Sequence, residues 1–226
     1  MPITVAALIT RANDLLNDTT NIRWTQPELL RWLNDGQREV VLNIPAAGAV
    51  NSPVLLVAGT KQTIPASGIR LLDVVRNLGA TGLVPGRAVR VTERESLDAM
   101  MPDWHAYAAT APVRHFMFDE RDPRHFYTYP PVPATQPVYV EMIYSAAPAE
   151  CILGGSIGLD DIYGNVLLDY VCYRAWSKDA DTPAAAQKAQ SYYALVANAL
   201  GIKHKGDVLS SPNTSNQGGT PPRNAG

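Results

Sequence analysis

Four histidines, His105, His115, His125 and His204, are the residues best suited to acid–base or metal chemistry in this chain. None has a cysteine or a second histidine at metal-ligand spacing. The nearest thing to a constellation is His115 and His125, which flank a predicted hairpin turn and could approach across it, with Asp119, Glu120 and Asp122 nearby. A solvated turn explains the same residues and is the preferred reading. Gly79-x-x-Gly82-x-x-x-Gly86 suggests a loop that cradles phosphate. No Gly-Lys-Ser/Thr follows it, and the next segment reads as a strand, so there is no helix N-terminus to hold an anion. A loop that orders on assembly fits better. Asp160 and Asp161 form a carboxylate pair at a predicted helix start, where the dipole favours them and capping accounts for them. The sequence therefore predicts no catalytic residue, no metal site and no cofactor.

The composition agrees. The chain has 226 residues, 46 % apolar and 18 % charged, a globular balance with material for a real core. A formal net charge of −2 disfavours a free-standing nucleic-acid binder, which usually carries a basic excess. Of the two cysteines, Cys151 and Cys172, the second falls mid-helix among apolar residues and reads as a buried thiol, compatible with a reducing compartment. Met1-Pro2-Ile3-Thr4 lacks the basic start of a signal peptide, and no apolar run reaches the ~18 residues of a membrane span. A soluble chain without a membrane partner is expected.

The elements follow from periodicity and punctuation. Val5, Leu8, Ile9, Ala12, Leu15 and Leu16 recur at helical spacing, which predicts a helix over 4–17 with Thr4 as N-cap. Thr25 and Glu28 form a capping box, and Trp24 and Leu29 stand where a hydrophobic staple would, opening a second helix over 26–43 that Pro45 ends. From Pro53 to residue 145 the pattern becomes that of strands. Val54–Val57 and Gln62–Ile64 read as a hairpin, Leu71–Val75 as a buried strand, and Ala88–Thr92 as a strand with Val89 and Val91 inward. Thr92 and Glu95 suggest caps for a short helix before Pro102. Strands at 115–118, 126–129 and 138–144 complete the region. Val138, Val140, Met142 and Tyr144 share one face of the last strand, and a stiff, proline-rich link (Pro130, Pro131, Pro133, Pro137) precedes it.

Two helices close the chain, over 160–178 and 183–200. The first is apolar on several sides, so it is either the centre of a bundle or packed on a partner as well as on its own core. The second has Thr182 as N-cap and Pro183 at its first position, with Gly201 placed to stop it. The order of helices, strands and helices argues an α+β fold: a helical bundle of two N-terminal and two C-terminal helices, an inserted antiparallel β-region, and one domain over 1–202. Residues 203–226 are too polar to fold alone and read as an extended C-terminal arm, mildly basic through Lys203, Lys205 and Arg223, with Val208-Leu209 as its apolar anchor. The ten tyrosines and four tryptophans, many on the closing helices, are residue types that anchor interfaces and equally types that fill cores.

The stretch from Trp24 to Gln37 (WTQPELLRWLNDGQ) resembles the opening of the head-to-tail adaptor, or connector, proteins of short-tailed bacteriophages. Pro53–Pro65, Arg121-Asp122-Pro123, Tyr129–Pro133, Tyr144–Pro148 and Leu168–Asp179 fit the same ordered pattern, which covers about residues 1 to 202. The resemblance implies a non-enzymatic structural protein of the virion neck, assembled in the host cytoplasm. It implies a homo-oligomeric ring of 12 copies, partnered by the portal protein above and a tail or nozzle protein below, with DNA as passing cargo in the ejection channel. On that reading the portal-binding arm carries Lys203, Lys205, Val208, Leu209 and Arg223. The subunit interface draws on Tyr170, Tyr173, Arg174, Trp176, Tyr192 and Tyr193, and the tail-facing surface on Arg121, Asp122, His125 and Tyr127. Two other functions are weighed beside it. One is a neck-associated peptidoglycan hydrolase using an acid such as Glu120, Glu141 or Glu150. The other is a DNA-packaging accessory factor with a basic face.

Overall fold

The first helix begins where Thr4 accepts the Ala7 N–H, and it ends where Asn17 turns left-handed at φ 55°. The computed structural model describes residues 3–210. Contacts divide the chain into two compact units, Met1–Ile44 with Glu150–Gly226, and Pro45–Ala149. The fold is α+β.

The unit formed by the two ends of the chain, called outer for its place in the sequence as the inserted one is called inner, holds α1 (Val5–Leu16), α2 (Gln26–Asn43), α4 (Gly164–Lys178) and α5 (Pro183–Ser210). The expected stripe of α1 is buried, except that Leu15 is half exposed. The capping box of α2 is present, and Glu28 also takes the Lys178 ammonium at 2.7 Å, tying the start of α2 to the end of α4. Trp24 is buried and donates its indole N–H to the Ala175 carbonyl at 3.1 Å. Helix α4 packs against α1, α2 and α5, so its apolar perimeter is used inside this unit. It starts later than the expected residue 160, because a 3-10 turn, Asp161–Tyr163, comes first. Close approach of α2 to α4 depends on Gly36, where a Cβ would meet the Tyr170 ring at 2.9 Å. Two side chains of α2 hold the returning chain. Asn34 bonds both the N–H and the C=O of Cys151, and the Gln37 carbonyl accepts the Gly158 N–H at 2.6 Å.

The stop expected at Gly201 is overturned, since α5 continues to Ser210. One glycine costs about 1 kcal/mol of helix propensity, which flanking Ala197, Ala199, Leu200, Lys203 and Lys205 offset. Residues 203–210 are therefore helix rather than extended arm, and 211–226 lie outside the described residues.

The inner unit holds β1 (Ala49–Leu55), β2 (Gly59–Thr63), β3 (Gly68–Asn77), β4 (Arg90–Val91), the short helix α3 (Arg94–Met100), β5 (His115–Phe118), β6 (His125–Val132) and β7 (Tyr139–Ala146). They form a three-stranded sheet ordered β1-β7-β3 and a four-stranded sheet ordered β2-β6-β5-β4. One core joins them, with Val74, Val140, Met142 and Tyr144 from the first sheet and Phe116, Phe126 and Val132 from the second. Val138, Val140, Met142 and Tyr144 are all buried, as their alternation predicts. A second cluster (Leu97, Trp104, Met117) brings α3 and the Trp104 turn together with β5.

Four expectations for this unit are corrected. Val54–Val57 and Gln62–Ile64 do not form a hairpin: β1 pairs with β7 and β2 with β6. The link between them is held by the buried Gln62, whose amide bonds Val57 and Gly59, so the chain changes sheets there instead of folding back. Val91 is 70 % exposed because β4 is a two-residue edge strand with cover on one side only. Helix α3 is preceded by Glu93, not Thr92, whose hydroxyl instead meets His115 Nδ1 at 2.9 Å. Pro130 and Pro131 lie within β6 itself.

The free edge of β1 is blunted. Leu56, just past β1, donates its N–H to the Val138 carbonyl just before β7, so by the two-residue period Val54 and Ser52 also face β7, while Asn51, Pro53 and Leu55 point their backbones to the open edge. Proline therefore occupies an outward position, where another strand would seek an N–H.

Candidate functional site

The β5–β6 turn follows from Asp119. Its carboxylate accepts the Arg121 N–H at 2.9 Å and pairs with the Arg121 guanidinium at 2.8 Å. Its carbonyl accepts the Asp122 N–H at 3.0 Å. The Arg121 contact holds the Asp119 carboxyl down at about 2. Asp122 then accepts the His125 N–H through its carbonyl at 3.2 Å and meets His125 Nδ1 through its carboxylate at 2.7 Å. This pinned turn and α3 bound a groove of about 690 Å³. All four residues expected to face the tail, Arg121, Asp122, His125 and Tyr127, line it. Its floor includes Met117 and Phe118, and its rim is carboxylate-rich through Glu93, Glu95, Asp98, Asp119 and Glu120.

His115 does not join His125. The antiparallel register sets His115 opposite Tyr129 and Phe118 opposite Phe126, so the two imidazoles sit at opposite ends of the strand pair. Burial, then the charges of Arg87, Arg90 and Arg114, pushes the His115 pKa below its usual value. This arginine cluster was not anticipated from the sequence. Its architect is Asn77, 3 % exposed, whose amide donates to the carbonyls of Arg87 and Val113 at 2.8 Å each and accepts the Val113 N–H at 2.9 Å. The only hint in the sequence was the spacing of Arg87 and Arg90 just after the glycine loop.

Most of the expected interface residues pack within the outer unit. Tyr170 is buried and meets the Tyr173 ring edge-on at 5.7 Å. The Arg174 charge acts on Tyr170, and Tyr192 and Cys172 act on each other electrostatically. Trp176 lies edge-on to Trp24 at 5.5 Å, with the Lys188 ammonium 4.1 Å from its ring. Tyr193, stacked at a tilt on Tyr173, is the most exposed at 48 % and shares α5 with exposed Leu195 and Ile202. Of the arm residues, Lys203 is half-buried with its ammonium 5.9 Å from the Tyr163 ring, and Lys205 is exposed. Val208 and Leu209 lie on α5, and Arg223 is beyond the described residues.

Asp160 caps Ile162 as expected, whereas Asp161 takes the Ile3 N–H at 2.7 Å and so pins the start of the chain. Both cysteines are free and buried, and burial pushes the Cys172 thiol up to about 12. Among the described residues, no group of three His, Cys, Asp or Glu is placed to hold a metal. No helix there is long and apolar enough to cross a membrane.

The model of the SU10 adaptor protein family matches residues 3–216. The chain belongs to the SU10 adaptor protein family. The match extends past residue 202, where the likeness read from the sequence stopped. No curated protein matches the chain. The adaptor is thus a structural bacteriophage protein and not an enzyme. The hydrolase alternative falls with that assignment, and the acids it named are engaged otherwise. Glu120 pairs with Arg70, Glu150 with Arg38, and Glu141 with Arg76. Hydrogen bonds from Asn51 and Arg76 lower the Glu141 pKa, the opposite of what a general acid needs.

Proposed function

We propose that this adaptor forms a closed ring of twelve copies that joins the portal to the tail and extends the DNA channel of the virion neck. The observation that carries the reading is the family match over residues 3–216. Two features support it. The β5–β6 turn itself, with Arg121 and Asp122 exposed on it and pinned by Asp119, is a stiff docking element for a tail or nozzle protein. Helix α5 carries exposed Leu195 and Ile202, seven residues apart on one side, an apolar face that a ring neighbour or the portal would cover, with Tyr193 exposed on the other side. Lys203, Lys205, Val208 and Leu209 then lie on a helical base of the portal-binding segment, which continues through 211–226 with Arg223. DNA is cargo on this reading, consistent with a net charge of −2.

Mass measurement of the purified chain with and without portal rings tests the ring. Twelve copies per portal are expected. A single copy on each portal, or no association at any concentration, would overturn it.

A further inference from the structure

The four-stranded sheet of the inner unit has opposite charge at its two ends. Strands β4 and β5 are parallel, with Arg90 beside His115 and Val91 beside Phe116. Their N-termini therefore share one end and their C-termini the other, roughly 13 Å apart along four residues. At the N-terminal end stand Arg87, Arg90 and Arg114, all exposed, and among the described residues none is in an ion pair.

The loop before β4 rises from the same end. Gly86 N–H bonds the Asn77 carbonyl at 2.8 Å, and Val84 N–H bonds the Leu78 carbonyl at 3.2 Å. Gly82 takes φ +76°, with the Tyr139 ring 3.1 Å from where a Cβ would stand. Held this way, the loop presents Leu83, 82 % exposed, and Val84, 60 % exposed. An apolar tip fixed by its own backbone and flanked by three unpaired guanidiniums is shaped for a partner that is apolar within and acidic at its rim.

The C-terminal end of the same strands is such a surface. The groove there has Phe118 and Tyr127 within it and Glu93, Glu95, Asp98, Asp119, Glu120 and Asp122 around it. Six carboxylates face three guanidiniums, those of Arg94, Arg121 and Arg70, so the rim stays negative.

We propose that the Leu83–Val84 tip and the arginines around it dock into the acidic groove of a second copy of this chain, making the head-to-tail contact that closes the ring. The inference rests on the ring reading above. Two different surfaces at opposite ends of one sheet give a heterologous contact, the kind that propagates from subunit to subunit until the rotation closes.

Charge swapping tests it. Arg87→Glu with Arg90→Glu makes one chain, and Glu93→Lys with Glu95→Lys makes another. Each is followed by sedimentation, alone and with portal rings, and thermal melting reports whether each stays folded. If the lysine changes unfold α3, Glu93→Gln with Glu95→Gln replaces them and should still weaken assembly. Each reversed chain should self-associate at least 10-fold more weakly than the natural chain, and an equal mixture of the two reversed chains should recover assembly. Leu83→Asp should weaken it without touching either charge set.

Assembly of the reversed chains at natural strength, no recovery on mixing, or a species that stops at the dimer would each overturn the contact. So would an arginine-reversed chain that assembles normally but loses salt-sensitive binding to duplex DNA, which would make that end a nucleic-acid surface. If the natural chain assembles neither alone nor on portals, the ring reading itself falls. If it assembles and the swaps do nothing, only the contact falls.

Discussion

Asn77, Gln37 and Gln62 are uncharged and buried, and each fixes a piece of backbone, Asn77 and Gln37 far along the chain and Gln62 within five residues of itself. Removing the Asn77 amide would take the Val113 N–H and C=O from their buried partner, while the Arg87 carbonyl would keep only the Asn77 backbone N–H. Asn77→Ala should therefore cost about 3 kcal/mol in a denaturant titration, and it should loosen the arginine cluster as well. Gly36→Val should cost about 2 kcal/mol, because the added methyls meet the packed Tyr170 ring and neither helix can retreat cheaply. Glu28 gives a pH signature. The Lys178 ammonium, then Thr25, holds its carboxyl at about 2 in the folded chain against an ordinary 4.5. A depressed acid stabilises the fold above its unfolded value and loses that contribution as pH falls. The Glu28 contribution should thus be complete above about pH 4.5 and gone near pH 2, while Glu28→Gln should cost about 1 kcal/mol at neutral pH and flatten that part of the acid titration. The polar hubs were not legible in the sequence. Asn77 works across 36 positions, and nothing local marks an asparagine as buried. That Arg121, Asp122, His125 and Tyr127 come together at one groove was legible, because they stand within one turn and the strand it opens.

Elements whose cause is local were read correctly: the capping box of α2, the alternation of β7, and the Thr182–Pro183 start of α5. Elements whose cause is tertiary were not. The β1–β2 segment carries hairpin punctuation, yet its strands belong to two sheets, and no local pattern distinguishes a fold-back from a crossing. Helix α4 looked as though its apolar sides might need a partner, but α1, α2 and α5 cover them. Helix α5 passes its glycine because propensity is a small term beside the residues around it. Deleting residues 211–226 should leave the melt of the chain unchanged and weaken portal association at least 10-fold by sedimentation, and unimpaired portal binding would remove the arm from the model of assembly. Pro53→Val should restore an outward N–H on β1 and raise concentration-dependent light scattering, since the open edge could then accept a strand.

At the scale of the whole molecule, assembly by side-chain contact is favoured over assembly by sheet extension, because Pro53 blunts the β1 edge while charge and apolar tip sit at the ends of β4 and β5. The family places the chain in the phage neck; its own residues say how a copy could grip another. One further consequence lies in where two residue types fall. Both cysteines, Cys151 and Cys172, are in the outer unit and buried, and the inner unit has none. Of the four tryptophans, only Trp104 belongs to the inner unit. The chain therefore carries a separate clock for each unit. The rate at which a thiol reagent labels it times the opening of the helices alone. In a chain whose other three tryptophans are replaced by phenylalanine, the emission of Trp104 would time the sheets alone, so the order in which the two units loosen becomes measurable from side chains already in place.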